Sequence, residues 1–99
     1  MPIGTIIEDH RTREQASVIG AHVRASGPVL PDGARLAVGG PTSDGWRMTT
    51  VWDSVEARDA FYRDRLGPAF AAAGISLDDS KRTEFEVDLL LAADLTGAP

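Results

Sequence analysis

From Trp46 to Asp53 the chain alternates. Trp46, Met48, Thr50 and Trp52 interleave with Arg47, Thr49, Val51 and Asp53, the two-residue period of a strand with two different faces. At Asp53 the period changes. Asp53-Ser54-Val55-Glu56 fits an acidic capping box, after which Ala57, Ala60, Phe61 and Leu66 recur at helical spacing. Pro68 has no amide to donate, so this helix must kink or restart there, continuing as a short piece around Phe70 that Gly74 closes.

Upstream, the β-branched-rich run Pro2 to Glu8 predicts a first strand, and Thr12 caps a helix reaching about Ala25. Ala16, Ile19 and Val23 form its inward stripe, with Gly20 beside it. The prolines and glycines of 27–33 make a loop. Ala34 to Gly39 predicts a second strand, with Leu36 and Val38 on one face and Arg35, Ala37 and Gly39 on the other. The turn-rich run 40–45 joins it to the next strand as a hairpin. After a polar loop at 78–81, Phe85, Val87, Leu89 and Leu91 alternate with Glu84, Glu86, Asp88 and Leu90 as a fourth strand. Residues 1–92 form one domain, and Ala93 to Pro99 is a frayed tail.

The order strand, helix, strand, strand, helix, strand predicts an α+β fold, the ferredoxin-like βαββαβ arrangement with a four-stranded antiparallel sheet. Two helices cover only one face of such a sheet. A second copy of the chain is the natural cover for the other, making a homodimer whose two sheets enclose a lumen. A domain of 99 residues has little core to spare, which favours the same conclusion.

Fifteen acidic against ten basic residues give a net charge of −5, which repels phosphate backbones and anionic membranes and so excludes nucleic acid as a partner. No cysteine is present, so thiolate chemistry and thiolate metal sites are excluded. The longest apolar run falls far short of the ~20 residues needed to cross a bilayer. With no basic-then-apolar leader at the start, a soluble, cytoplasmic protein with no membrane partner is expected.

The stretch Gly45-Trp46-Arg47-Met48-Thr49-Thr50-Val51-Trp52-Asp53-Ser54, together with Arg65-Leu66-Gly67-Pro68-Ala69, Val38-Gly39-Gly40-Pro41-Thr42 and Met1-Pro2-Ile3-Gly4, resembles small actinobacterial proteins of the dimeric α+β-barrel superfamily. That superfamily includes the antibiotic-biosynthesis monooxygenase-like domains. The resemblance implies two sheets facing one another around a shared lumen, and activities that run from cofactor-independent oxygenases and haem-degrading enzymes to isomerases and cyclases. Related sequences carry a histidine where Ala37 stands and a His-Asn pair where Asp88-Leu89 stand. The chain has no asparagine, so the Asn-Trp-His constellation of the haem-degrading branch cannot be assembled.

Several residues are candidates for chemistry. Thr50 is polar and sits less well against helices than Val51, which assigns Met48, Thr50 and Trp52 to the lumen, along with Arg35, Ala37 and Gly39 of the second strand. Trp46 and Trp52 read as core, or as walls for a flat apolar ligand. Asp88 falls on the lumen face of the fourth strand, where it is either a general acid or base or the ion-pair partner of Arg35 or Arg47. Glu8 has the same two readings. His10 is a site residue at a barrel mouth or part of a solvated loop, and His22 is an edge position in water. Tyr62 either donates a proton or anchors its helix. No His-x-x-x-His or His-x-Glu spacing is present, so no metal is expected, and no cofactor either. Two functions remain open. One is a cofactor-independent monooxygenase, cyclase or isomerase acting on a hydrophobic aromatic or polyketide-like small molecule of secondary metabolism; the other is a non-catalytic binding or assembly module with a self-packed lumen.

Overall fold

The computed structural model describes residues 2–91 and has the expected α+β order. Strand β1 is Ile3–Asp9, helix α1 Arg13–Ser26, β2 Ala34–Thr42, β3 Gly45–Trp52, α2 Val55–Phe61, α3 Gly67–Ala72 and β4 Lys81–Glu86. The four strands lie in the order β2-β3-β1-β4, all pairs antiparallel. The tail expected at Ala93 to Pro99 lies outside the described residues.

Thr12 opens α1 with a capping box: its side chain accepts from the Gln15 amide, and the Gln15 side chain accepts from the Thr12 amide. Ser54 caps α2 by accepting from the Ala57 amide at 3.1 Å. Glu56 therefore falls one position short of completing an acidic box, and Asp53 instead pairs with Arg35. Between α2 and α3 the chain makes a π-helical turn, Tyr62–Leu66, in which the Gly67 amide donates to the Tyr62 carbonyl. The wider turn falls where the ring of Pro68 would otherwise press on the Asp64 carbonyl of a regular helix. The expected kink is thus absorbed as an extra residue in one turn. Gly74, at φ 78°, then ends α3.

Two boundaries differ from the sequence reading. The hairpin is tighter, because β2 runs on through Gly39-Gly40-Pro41-Thr42 and only Ser43 and Asp44 turn. Strand β4 lies earlier, at Lys81–Glu86, and Asp88 falls outside it. The last contact with β1 is Val87 donating to the Pro2 carbonyl at 3.1 Å. Beyond it β1 offers no further ladder, since Pro2 has no amide to give.

The faces of the sheet are the reverse of those expected. Register places Trp52, Thr50, Met48 and Trp46 beside Ile3, Thr5, Ile7 and Asp9. This is the helix side: Trp52, 1% exposed, packs with Ile7, Ile19, Tyr62, Leu66 and Phe70 in the core. The hydroxyl of Thr50 did not exclude it from the helix side, because Thr50 accepts the Trp52 indole N–H at 2.8 Å within the core. Ala37 and Gly39 pair with Thr50 and Met48 and share that side. Leu36, Val38, Ile6, Val51 and Phe85 form the apolar part of the helix-free face, with Arg47 and Glu8 among them.

On that face the ring of Phe85 lies directly on Gly4, where a Cβ would collide with it. Gly4→Ala should therefore lower stability by about 1–3 kcal/mol. Because Phe85 is half exposed and free to be trimmed, Gly4→Ala combined with Phe85→Ala should cost clearly less than the sum of the two single changes in urea unfolding. Additive losses would mean that the ring does not rest there.

Candidate functional site

On the helix side, β2 contributes only small residues, Ala34, Ala37 and Gly39, opposite α1. Nothing there fills the gap between helix and outer sheet. The result is a cavity of about 180 Å³. That is slightly more than the ~150 Å³ apolar cavity that takes up benzene. Its walls are Ile19, Val23, Met48, Trp52, Phe61 and Leu66. Of the lining residues, Arg24, Val29, Leu30 and Ala37 are exposed, which opens the cavity at the β2 edge of the sheet.

Polar groups gather at one end. Arg11, whose side chain is 2% exposed, donates from Nε and Nη2 to the two carboxylate oxygens of Asp9, both at 2.8 Å. Its guanidinium also lies 4.7 Å from the Phe70 ring and 5.9 Å from that of Trp46. Burial alone would raise the Asp9 carboxyl, but hydrogen bonds and charge from Arg11, with a bond from Ser80, outweigh it and hold the group below the usual carboxylate range. Arg11 Nη1 makes no hydrogen bond among the described residues. The Trp46 Nε1 is buried beside it without a partner. Gly39 leaves the room next to that nitrogen, since a Cβ there would come within 3.2 Å of it. A buried donor left unpaired costs about 1–3 kcal/mol, which makes the Trp46 Nε1 a candidate donor to an acceptor oxygen at this end of the cavity.

Tyr62 packs edge-on against Trp52 at 6.4 Å, with its hydroxyl buried and lacking a bond of good geometry. Burial pushes that phenol up, opposed by the neighbouring Thr50 hydroxyl and the charges of Arg82 and Arg58. It does not line the cavity.

Of the residues singled out from the sequence, Trp46, Met48, Thr50, Trp52 and Ala37 come together around this cavity, on the helix side instead of in a lumen. The others do not join them. Arg35 sits at an irregularity in β2 and pairs with Asp53 at the surface, 2.8 Å apart. Glu8 lies on the helix-free face and pairs with Arg47 at 3.1 Å. Asp88 is exposed beyond the end of β4 and pairs with neither Arg35 nor Arg47. His10 is exposed, its Nδ1 3.0 Å from the Asp44 carbonyl, and lines a second cleft of about 620 Å³ together with Arg11 and with none of the candidate residues above. Sequence reasoning missed Arg11. Its signal was parity: Asp9 continues the inward series Ile3, Thr5, Ile7, so a carboxylate there needs a cation close by.

Among the described residues no group of three or more His, Asp or Glu side chains could hold a metal ion. Nor is any helix there long and apolar enough to cross a membrane.

No protein-family model matches the sequence, and no curated protein matches it. Solved structures do. A candidate antibiotic biosynthesis monooxygenase from Chloroflexus aurantiacus J-10-fl is 20% identical, with 98% of this chain and all of that one covered at a TM-score of 0.62. Rv0793 from Mycobacterium tuberculosis is 18% identical, covering 94% of this chain and 100% of its own at 0.63. SnoaB, a cofactor-independent oxygenase from Streptomyces nogalater, is 19% identical over 93% of this chain and 96% of its own, at 0.53. The chain shares with these structures the ferredoxin-like βαββαβ fold.

The Asp9–Arg11 pair has a defined pH signature. Because the folded carboxyl titrates below its unfolded value, its stabilising contribution is present above about pH 4 and is lost as pH falls through the lower folded value. Asp9→Asn should cost about 3–5 kcal/mol at neutral pH by leaving a buried guanidinium uncompensated. It should also flatten the acid limb of stability, read by urea unfolding between pH 3 and 7; an unchanged acid limb would remove Asp9 from that role.

Proposed function

We propose that this chain binds a compact aromatic molecule of one or two rings, bearing a phenol or carbonyl oxygen, in the cavity between α1 and the sheet, and oxygenates it without a cofactor. The observation that carries the binding is the unpaired, buried Trp46 Nε1 in an otherwise apolar cavity, next to the Arg11 guanidinium. The ring oxygen accepts from that indole, and the rings lie against Met48, Trp52 and Phe61. The volume favours compact substrates over the larger polyketide skeletons considered from the sequence.

The likeness to candidate monooxygenases and to a cofactor-independent oxygenase supports the chemistry. A phenol with a free para carbon supplies its own electrons, since ring and dioxygen together give the para-quinone and water. The protein's part is to favour the electron-rich phenolate through the Trp46 N–H and the free Nη1–H of Arg11, whose charge Asp9 already balances. No carboxylate or histidine lines the cavity, so the phenol proton leaves to solvent. That absence of a base among the lining residues is also what favours the second reading, a non-catalytic binding module.

We further propose a cytoplasmic homodimer joined through the helix-free face. Val38 and Phe85 on that face, 58% and 44% exposed, support it, as do Leu89 and Leu91 in the segment after β4.

Three measurements bear on these proposals. 1-Naphthol should quench tryptophan fluorescence on binding, and Trp46→Phe should weaken it about tenfold while leaving naphthalene unaffected. Equal loss for both ligands would mean that the indole donor is not used. With 1-naphthol in air-saturated buffer and nothing else added, dioxygen uptake above the uncatalysed rate is expected; binding without uptake leaves the binding module. Light scattering at micromolar concentration should give a dimer, and Val38→Glu a monomer. A well-folded wild-type monomer would rule the dimer out.

A further inference from the structure

We infer that Arg24 makes the cavity selective for rings that carry an anionic substituent, such as a carboxylate, at the end away from the oxygen held by Trp46. This rests on the cavity being a ligand site as proposed above, and it narrows the ligand to a hydroxylated aromatic acid.

Arg24 lies in the last turn of α1 and lines the cavity at its mouth. Arg11 lies just before the first turn of the same helix. The Arg24 guanidinium reaches back beside Gly20, seven residues or about 10 Å along the helix axis from Arg13, and so stands apart from that of Arg11 in the cavity lining. Arg24 is drawn over the helix by Gly20: a Cβ at that position would stand 3.2 Å from Nη1. A glycine in mid-helix is less favourable than alanine, and here it gives the guanidinium a bed beside the cavity.

Three arginines, Arg13, Arg24 and Arg82, make no ion pair or side-chain hydrogen bond among the described residues, and of these only Arg24 lines the cavity. Arg11, Arg35, Arg47, Arg58 and Arg63 each hold a carboxylate. Arg65 donates to the carbonyls of Val23 and Pro28 at 2.8 and 2.7 Å, and stacks 5.2 Å from Phe61, a wall of the cavity. Arg65 thus adds positive potential near the mouth with its donors already used. No carboxylate lines the cavity. In a chain of net charge −5, an unpaired cation at the mouth of an apolar cavity is matched to an anion brought by the ligand. Its fork suits a carboxylate bidentately.

The test compares 2-naphthol with 6-hydroxy-2-naphthoate by fluorescence titration at low salt. The wild type should bind the carboxylate about tenfold more tightly. Arg24→Gln should abolish that preference and leave 2-naphthol affinity unchanged, and Arg24→Lys should keep part of it. Gly20→Ala, which pushes the guanidinium off its bed, should reduce the preference in part. Equal wild-type binding of the two probes, or a preference that survives Arg24→Gln, overturns the inference while the cavity remains a ligand site. If neither probe binds, the ligand-site reading falls and this inference with it.

Discussion

The hydrogen bond from the Trp52 indole to Thr50 decides which way the sheet faces. Both residues lie on one face of β3, and only with that bond made can a threonine hydroxyl be sealed against helices at little cost. Once Trp52 is turned inward, Phe61 and Tyr62 close on it at 5.4 and 6.4 Å, and the strand period carries Met48 and Trp46 to the same side. The cavity, the unpaired indole of Trp46 and the outward position of Arg47 all follow from this parity.

Element order was legible in the sequence because each transition has a local cause: Thr12 and Ser54 cap, Gly74 terminates, and the hairpin is short enough to pair with itself. Parity was not legible, because it depends on a bond between two side chains of the same strand. Judged one at a time, Thr50 looks unsuited to a core and Val51 well suited. The pair Thr50–Trp52, taken together, is an apolar surface. The same limit applies to Asp88, whose alternating neighbours read as strand. Alternation creates a strand only where a neighbour extends far enough to pair, and β1 begins at Ile3.

The site was half legible for a related reason. The tryptophans, Met48, Thr50 and Ala37 were found as a group because strand period keeps them together whichever way they face. Arg11 was not found, because its importance comes from burial of a bidentate pair at a strand-to-helix junction. In sequence that junction is only a short polar break, Asp9-His10-Arg11. Glu8 and Asp9 are adjacent carboxylates with opposite fates, one paired on the helix-free face and the other sealed beside the cavity, and a single step of strand parity separates them.

The cavity also bears on stability. In a domain this small, a void of about 180 Å³ beside Trp52 and Leu66 leaves part of the core lining without packing partners. The unpaired Trp46 N–H adds a second cost at the same place. Both are relieved by one event, the entry of a ring with an acceptor oxygen. The binding proposed above would therefore couple to folding, with apparent stability rising logarithmically once ligand exceeds its dissociation constant. Filling the cavity with a larger side chain at Ala37 would recover packing while leaving the indole unpaired. The two costs are separable by mutation although a ligand removes them together, and that separation is what distinguishes a recognition site from an imperfection of packing.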